Sequence, residues 1–328
     1  MVQKLVFLGM GGTIAGQAAS AGDNVGYKAG QVGIRHLLDA VPGLAAALGS
    51  AEAESEQVCQ IDSKDLDHAD WFALVSRIAH HLERIDVAGV VVTHGTDTLE
   101  ETAFWLSRTL PSELLAGKLV VLTCAMRPAS SLAPDGPVNI ADAVTVALSE
   151  GARGVVVVCA GKIHSALHVQ KVHPYRVDAF DSGEAGPLGL VEEGRVRMLA
   201  CWPQLATSPV QRDLEVLRAK GLPRVELVVS HSGAGGAIVR SLMQAVGGDA
   251  PLRGLVVAGT GNGTIHKDLQ FALETAQASG IRVVRVSRCG YGQVVGPAAP
   301  SASTVIESCP LSAVKARIAL MLEIAEAP

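Results

Sequence analysis

The sequence predicts an α/β protein of two domains with mainly parallel sheets. Three observations predict it. A length of 328 residues suits about two domains. Short runs of Val, Ile and Leu alternate with longer amphipathic stretches, which is the rhythm of β-α units. One polar, proline-bearing segment in the second half breaks that rhythm and divides the chain.

The apolar runs cover residues 5–8, 87–93, 119–125, 155–160, 227–230, 255–259 and 283–287. They are continuous rather than alternating, as strands buried on both faces are. Between them, residues 69–82 place Trp71, Leu74, Val75, Ile78 and Leu82 on one helical face. Residues 102–110, 140–148 and 265–278 follow the same period. The last stretch sets Leu311, Val314, Ile318 and Met321 at helical spacing. Residues 189–198 predict a hairpin, and 204–213 look like a connection between domains. The expected organisation is an N-terminal domain over 1–207, a linker over 208–223 and a C-terminal domain over 224–328.

Composition excludes several classes. The chain is 48% hydrophobic and 18% charged, so it is not a disordered polymer. A formal charge of −5 leaves no basic footprint for nucleic acid or an anionic membrane surface. Five Phe, three Trp and three Tyr supply few platforms for stacking bases. No apolar run reaches the roughly 18 residues of a spanning helix. The first eight residues run into a glycine turn without the length or cleavage site of a signal peptide. Cys59, Cys124, Cys159, Cys201, Cys289 and Cys309 form no C-x-x-C pair, and Cys124 and Cys159 sit in Val-rich runs that suit buried thiols. A cytoplasmic protein is expected. His164 and His168 are four apart with His173 beyond them, but there is no H-E-x-x-H and no cysteine cluster. No metal and no cofactor are expected. His80 and His81 are expected to form a partly solvated pair.

In an open parallel sheet, ligands sit beyond the carboxyl ends of the strands. Three segments there carry chemistry. Gly9-Met10-Gly11-Gly12-Thr13-Ile14-Ala15-Gly16 follows the first strand. Ile14 occupies the third glycine position of a dinucleotide fingerprint, so that motif fails. What remains is a glycine turn presenting Thr13, either to a ligand or to the backbone of its own turn. Thr93-His94-Gly95-Thr96-Asp97-Thr98-Leu99-Glu100-Glu101 follows the second clear strand. Thr98 and Glu101 fit a capping box. His94, Thr96 and Asp97 remain, in a turn where helix N–H groups suit a carboxylate or a developing oxyanion. Lys171 is either a solvated surface lysine or a base whose pKa desolvation lowers to activate a hydroxyl. There is no G-x-S-x-G elbow and no phosphate loop.

Taken together these segments resemble the bacterial-type L-asparaginase family (asparaginase/glutaminase). Gly11-Gly12-Thr13-Ile14-Ala15-Gly16 resembles its first signature, and Thr93-His94-Gly95-Thr96-Asp97-Thr98 with Glu100-Glu101-Thr102 its second. Ile61-Asp62-Ser63-Lys64-Asp65 resembles the substrate-binding segment. Ala125-Met126-Arg127-Pro128, Asp135-Gly136-Pro137, Asn139, Gly186-Pro187-Leu188-Gly189 and Gly259-Thr260-Gly261-Asn262-Gly263 extend the likeness over nearly the whole chain.

The resemblance implies a larger N-terminal α/β domain with a mixed sheet and a smaller, flavodoxin-like C-terminal α/β domain. It implies cofactor-free hydrolysis of L-asparagine to L-aspartate and ammonia. Thr13 would be the nucleophile of an acyl-enzyme, with Tyr27 as the lid tyrosine beside it. Thr96, Asp97 and Lys171 would form a second triad, and Ser63 and Asp97 would bind the α-carboxylate and α-ammonium. Gly12, Asp62, Lys64, Gly95 and Ala125 would line the substrate site, and Thr264 would reach it from a neighbouring subunit. A homotetramer built as a dimer of dimers is implied, without nucleic-acid or membrane partners. The chain departs from the family pattern at Lys64, where periplasmic members usually carry a neutral amide, and at Thr264, where many carry asparagine. It also has no glutamate over 289–299. Alternatives are a glutaminase-asparaginase, an amidotransferase subunit, a catalytically silent amino-acid-binding module and, from the glycine-rich start alone, a nucleotide-binding oxidoreductase.

Overall fold

The structure is a computed structural model that describes residues 2–205, 214–244, 250–296 and 306–326. The chain forms two compact units, Met1–Arg212 and Asp213–Pro328. The expected boundary near residue 208 lies outside the described residues. The remainder of the expected linker contains a helix, Leu214–Lys220.

The first unit holds twelve strands among the described residues: β1 Lys4–Gly11, β2 Gln17–Ala18, β3 Tyr27–Lys28, β4 Glu52–Ile61, β5 Val87–Thr93, β6 Leu119–Thr123, β7 Gly154–Cys159, β8 Lys162–Ser165, β9 Gln170–Lys171, β10 Phe180–Asp181, β11 Gly189–Glu192 and β12 Arg195–Met198. Eight of them make one sheet in the order β12-β11-β8-β7-β6-β5-β1-β4. The five strands from β7 to β4 are parallel, whereas β8, β11 and β12 are antiparallel. The sheet is therefore mixed. The short links β7–β8 and β11–β12 have no room for a crossover helix, so they turn back as hairpins.

The four inner parallel strands, β1, β5, β6 and β7, are buried on both faces, which is why they read as largely apolar runs. On one face, Leu5, Phe7, Val91, Val121, Val156 and Val158 pack with Ile140, Ala143 and Val144 of the helix Gly136–Ala147. The helices His68–Leu82 and Leu99–Thr109 also pack on the sheet. Trp71 Nε1 donates to Thr102 Oγ1 at 3.0 Å and its ring stacks on Trp105 at 5.3 Å, joining those two helices.

The edge strand β4 is the main element that periodicity misses. Its sequence, EAESEQVCQI, is polar because it lies at the sheet edge. Glu54 and Glu56 receive forked hydrogen bonds from Arg84 and Arg77. His81 is buried, with Nε2 2.9 Å from Glu56, so only His80 of the expected solvated pair is exposed. Charge along an edge strand also blocks pairing with another sheet.

The helix after β5 corrects a second expectation. Thr98 stands at its N-cap, but its hydroxyl makes no capping bond. It donates to the Ser63 carbonyl at 2.8 Å. The capping box that forms is on the helix His68–Leu82, between Asp67 and Asp70.

The second unit has a parallel sheet of β13 Arg224–Val229, β14 Leu252–Gly259, β15 Arg282–Ser287 and β16 Glu307–Ser308, in that order. Its apolar core includes Leu255, Val257 and Val283, with Leu269 and Leu273 from the helix Lys267–Ala278. Among the described residues no helix is long and apolar enough to cross a membrane.

The β4 network predicts an acid response. Hydrogen bonds from Arg84, with Lys4 nearby, hold the Glu54 carboxyl down at about 2, against an ordinary value of 4.5. A carboxyl depressed in the folded state stabilises above its unfolded pKa, and that gain is lost as pH falls through the folded pKa. Glu54→Gln should cost about 1 kcal/mol at neutral pH, limited by solvent screening of this part-exposed side chain. The Tm difference from the native protein should vanish as pH drops from 4.5 to about 2. A difference independent of pH would refute this assignment.

Candidate active site

The strand order places a switch point between β1 and β5. From β1 the chain crosses to β4 on one side, and from β5 it continues to β6 on the other. Loops diverge from such a point and leave a crevice above the strand ends. The register sets Gly9 beside Thr93 and Thr93 beside Thr123. The loops after β1 and β5 therefore start level with each other.

Those loops meet through backbone. Gly12 has φ 79°, and a methyl group there would overlap the Gly95 Cα. A methyl at Gly95 would stand 2.5 Å from Ser63 Oγ. Only glycine permits both approaches. Immediately after Gly12, a 3-10 turn over Thr13–Ala15 presents Thr13, and its Oγ1 lies 2.7 Å from Tyr27 Oη. Tyr27 is held on the β2–β3 hairpin, where Ala18 pairs with it. Thr13 is buried to 7% exposure, so its side chain is shielded rather than on the open surface.

The second cluster lies on the β5 loop. Lys171 Nζ donates to Thr96 Oγ1 at 2.9 Å and to Asp97 Oδ1 at 2.6 Å. Lys171 is carried by β9, where it pairs with Phe180 of β10. That hairpin carries the lysine to a threonine 75 residues earlier. The alternative of a solvated surface lysine does not hold. Thr96 is buried, while half of the Asp97 side chain is exposed and open to a ligand.

Ser63 braces the β5 loop. Its hydroxyl accepts from Asp97 N at 3.2 Å, and its carbonyl accepts from Thr98. Asp62 caps the short turn Ser63–Asp65 by accepting from Lys64 N. Lys64 is exposed, its ammonium paired with Asp65 and 3.7 Å from Asp62. Ala125 is buried, and its methyl faces Gly136 beside Ile14. It belongs to the floor under the loops. Thr264 lies in the second unit, its hydroxyl 2.7 Å from that of Thr260.

Three further supports frame the site. Asp135 accepts from Met126 N and Arg127 N, and Asn139 Nδ2 donates to the Cys124 carbonyl. They hold the chain after β6. The Thr98–Ser63 bond spans 35 residues and has no local signal. Burial pushes the Tyr27 phenol up, offset in part by its bond to Thr13, with Asp62 and Asp97 adding to the rise. Burial brings the His94 imidazole down to about 4. Its Nδ1 lies 2.7 Å from the Gly95 carbonyl, so the neutral ring donates there and braces the loop. Among the described residues, no group of three or more His, Cys, Asp or Glu is set to hold a metal ion.

The two-unit α/β fold thus carries a shielded threonine hydroxyl beside a phenol, and a lysine-threonine-aspartate cluster on the neighbouring strand end. Residues 4–203 match the model of the "Asparaginase, N-terminal" family, and residues 224–327 match "Glutaminase/Asparaginase C-terminal domain". The chain belongs to the asparaginase family, whose members are hydrolases acting on linear amides. It is 34% identical to L-asparaginase 2 of Escherichia coli, over 98% of this chain and 89% of that one. It is likewise 34% identical to the glutaminase-asparaginase of Pseudomonas fluorescens biotype A, over 89% and 77%. The solved structure of a probable cytoplasmic L-asparaginase from Campylobacter jejuni superposes with TM-score 0.84 and 35% identity, covering 99% of this chain and 96% of that one.

His94 gives a pH prediction. The folded pKa is depressed from 6.5 to about 4. The unfolded chain therefore binds more protons between these values, and stability falls as pH drops through that window. The loss should be on the order of 3 kcal/mol. His94→Asn keeps a donor for the Gly95 carbonyl but does not titrate. Denaturant midpoints measured from pH 6.5 to 4 should slope for the native protein more steeply than for the variant. Parallel slopes would contradict the assignment.

Proposed function

We propose that this chain is an L-asparaginase that hydrolyses L-asparagine to L-aspartate and ammonia through an acyl-enzyme on Thr13. The observation that carries this reading is the pair of clusters on adjacent strand ends: Thr13–Tyr27 at 2.7 Å and Thr96–Lys171–Asp97 at 2.9 and 2.6 Å. The substrate carries one anion and one cation beside its amide. The exposed Asp97 carboxylate suits the α-ammonium, and the Ser63 hydroxyl with neighbouring N–H groups suits the α-carboxylate. Asp62, Lys64, Gly12, Gly95 and Ala125 shape the rest of this chain's share of the pocket.

In the first step Thr13 Oγ1 bonds to the amide carbon and the C–N bond breaks. The Thr13 proton reaches the departing nitrogen, which leaves as ammonia. A phenol with a raised pKa favours passing a proton on over storing charge as phenolate, so Tyr27 serves as a relay. Lys171 donates to Thr96 Oγ1, which leaves the Thr96 proton free to point into the pocket. In the second step water adds to the ester and Thr13 recovers its proton. The Thr96–Lys171–Asp97 cluster orients that water.

Similarity to a glutaminase-asparaginase supports a second reading, hydrolysis of L-glutamine as well. One extra methylene is worth only about 1–3 kcal/mol in a pocket. We also assign the protein to the cytoplasm, supported by its similarity to a probable cytoplasmic L-asparaginase. A homotetramer of two dimers, with Thr264 offered to a neighbour's pocket, completes the proposal.

Ammonia release from asparagine and glutamine in parallel tests the reading. Thr13→Ala should lower kcat by about a thousandfold or more while the fold persists. Tyr27→Phe should lower kcat by about a hundredfold with little change in KM. Full activity of Thr13→Ala would overturn the nucleophile, and binding of aspartate without any turnover would favour a silent binding module.

A further inference from the structure

We propose that Cys124 and Cys159 are an oxidisable pair of thiols that a peroxide closes into a disulfide across the ends of β6 and β7, altering the candidate site above them. The placement follows from register. Thr123 of β6 pairs with Val158 of β7, and the next residues along these parallel strands are Cys124 and Cys159. Side chains at matching positions of parallel neighbours share a face, about 4.8 Å apart. That spacing lies within the Cα range of disulfides. The thiols are 1% and 3% exposed, so neither is a surface thiol.

A second observation points to the same place. His164 on β8 pairs with Val157 and is 1% exposed. Its Nδ1 lies 2.8 Å from Ser182 Oγ, while its Nε2 is buried without a hydrogen-bond partner. With the proton on Nδ1 donated to Ser182, the Nε2 lone pair is available to the Cys159 proton. The Cys124 thiol, and after it the His164 imidazole, brings the Cys159 thiol below its ordinary value against the effect of burial. The same contact pushes Cys124 up. His164 lies opposite Val157, two residues from Cys159 and on the same strand face, so Cys159 is the thiol placed to lose its proton and attack, with Cys124 to resolve.

The chemistry balances with hydrogen peroxide as oxidant. Cys159 thiolate attacks one peroxide oxygen, the O–O bond breaks, and the departing hydroxide takes the proton held by His164 to become water. Cys159 is now a sulfenic acid, oxidised by two electrons as the peroxide is reduced. The Cys124 sulfur then attacks the Cys159 sulfur, the S–O bond breaks, and hydroxide leaves with the Cys124 proton as a second water.

The disulfide would act on the site through short links. The Cys124 carbonyl accepts from Asn139 Nδ2, and Asn139 Oδ1 accepts from Ala160 N, each at 2.9 Å. These bonds join the chain just after β6 to that just after β7. Ala125 follows Cys124 and meets Ile14 at Gly136, one residue from Thr13. Shortening that thiol contact to a covalent S–S bond pulls on this bridge and shifts the floor under Thr13.

The test is peroxide treatment of the purified full chain, with peptide mapping by mass spectrometry and amide hydrolysis measured before, after, and on adding dithiothreitol. A Cys124–Cys159 cross-link is expected, with a several-fold loss of rate that the reductant restores. Dimedone should label Cys159 in Cys124→Ser, and Cys159→Ser should keep its rate through the treatment. If either variant fails to fold, the native map decides. Both thiols remaining free after treatment that oxidises the exposed Cys201 and Cys289 would overturn the proposal. A cross-link with unchanged rate would overturn its link to the site. The rate arm rests on the function proposed above, whereas the map does not. A cross-link in a protein that hydrolyses no amide even when reduced would support the thiol pair and count against that function alone.

Discussion

The approach of Gly12 to Gly95 is the constraint on which the candidate site depends. These residues lie on loops that leave adjacent parallel strands level with each other. Because neither carries a side chain, the two backbones approach closely, with Thr13 and Thr96 one residue beyond each. A strand inserted between β1 and β5 in the sheet would separate them. The pairing of β1 with β5, rather than any bond between the reactive side chains, sets their relation.

Around that contact, polar groups are fixed by backbone. The Ser63 hydroxyl accepts from Asp97 N, and its carbonyl accepts from Thr98. His94 braces the Gly95 carbonyl from beneath. Asp135 and Asn139 hold the chain beyond β6. Donors and acceptors fixed before a ligand arrives need little reorganisation during reaction, which is the main advantage of a protein site over water. The same rigidity makes the floor sensitive to what happens between Cys124 and Cys159.

Much of the fold was legible because parallel strands buried on both faces must be apolar throughout. The 87–93 and 119–125 runs correspond to β5 and β6, and 69–82 to the helix His68–Leu82. β4 was not legible. As an edge strand it packs against charged partners from a helix, so its sequence shows glutamates where an inner strand shows valines. The Thr98 hydroxyl was misassigned for a related reason. Its spacing to Glu101 fits a local cap, but a long-range acceptor on Ser63 takes the proton. In the site, the glycine turns and the polar β5 loop stood out on residue type alone. Lys171 was open to two readings, a solvated lysine or a base, and only the fold, which brings Thr96 to it, decides against the first.

Under the proposed mechanism Thr13, rather than Thr96, carries the acyl group. Rapid acid quenching during turnover of asparagine, followed by peptide mapping, locates that group. An aspartyl ester is expected on Thr13, and none on the native chain without substrate. An ester on Thr96, or turnover with an initial burst and no ester on Thr13, would contradict it.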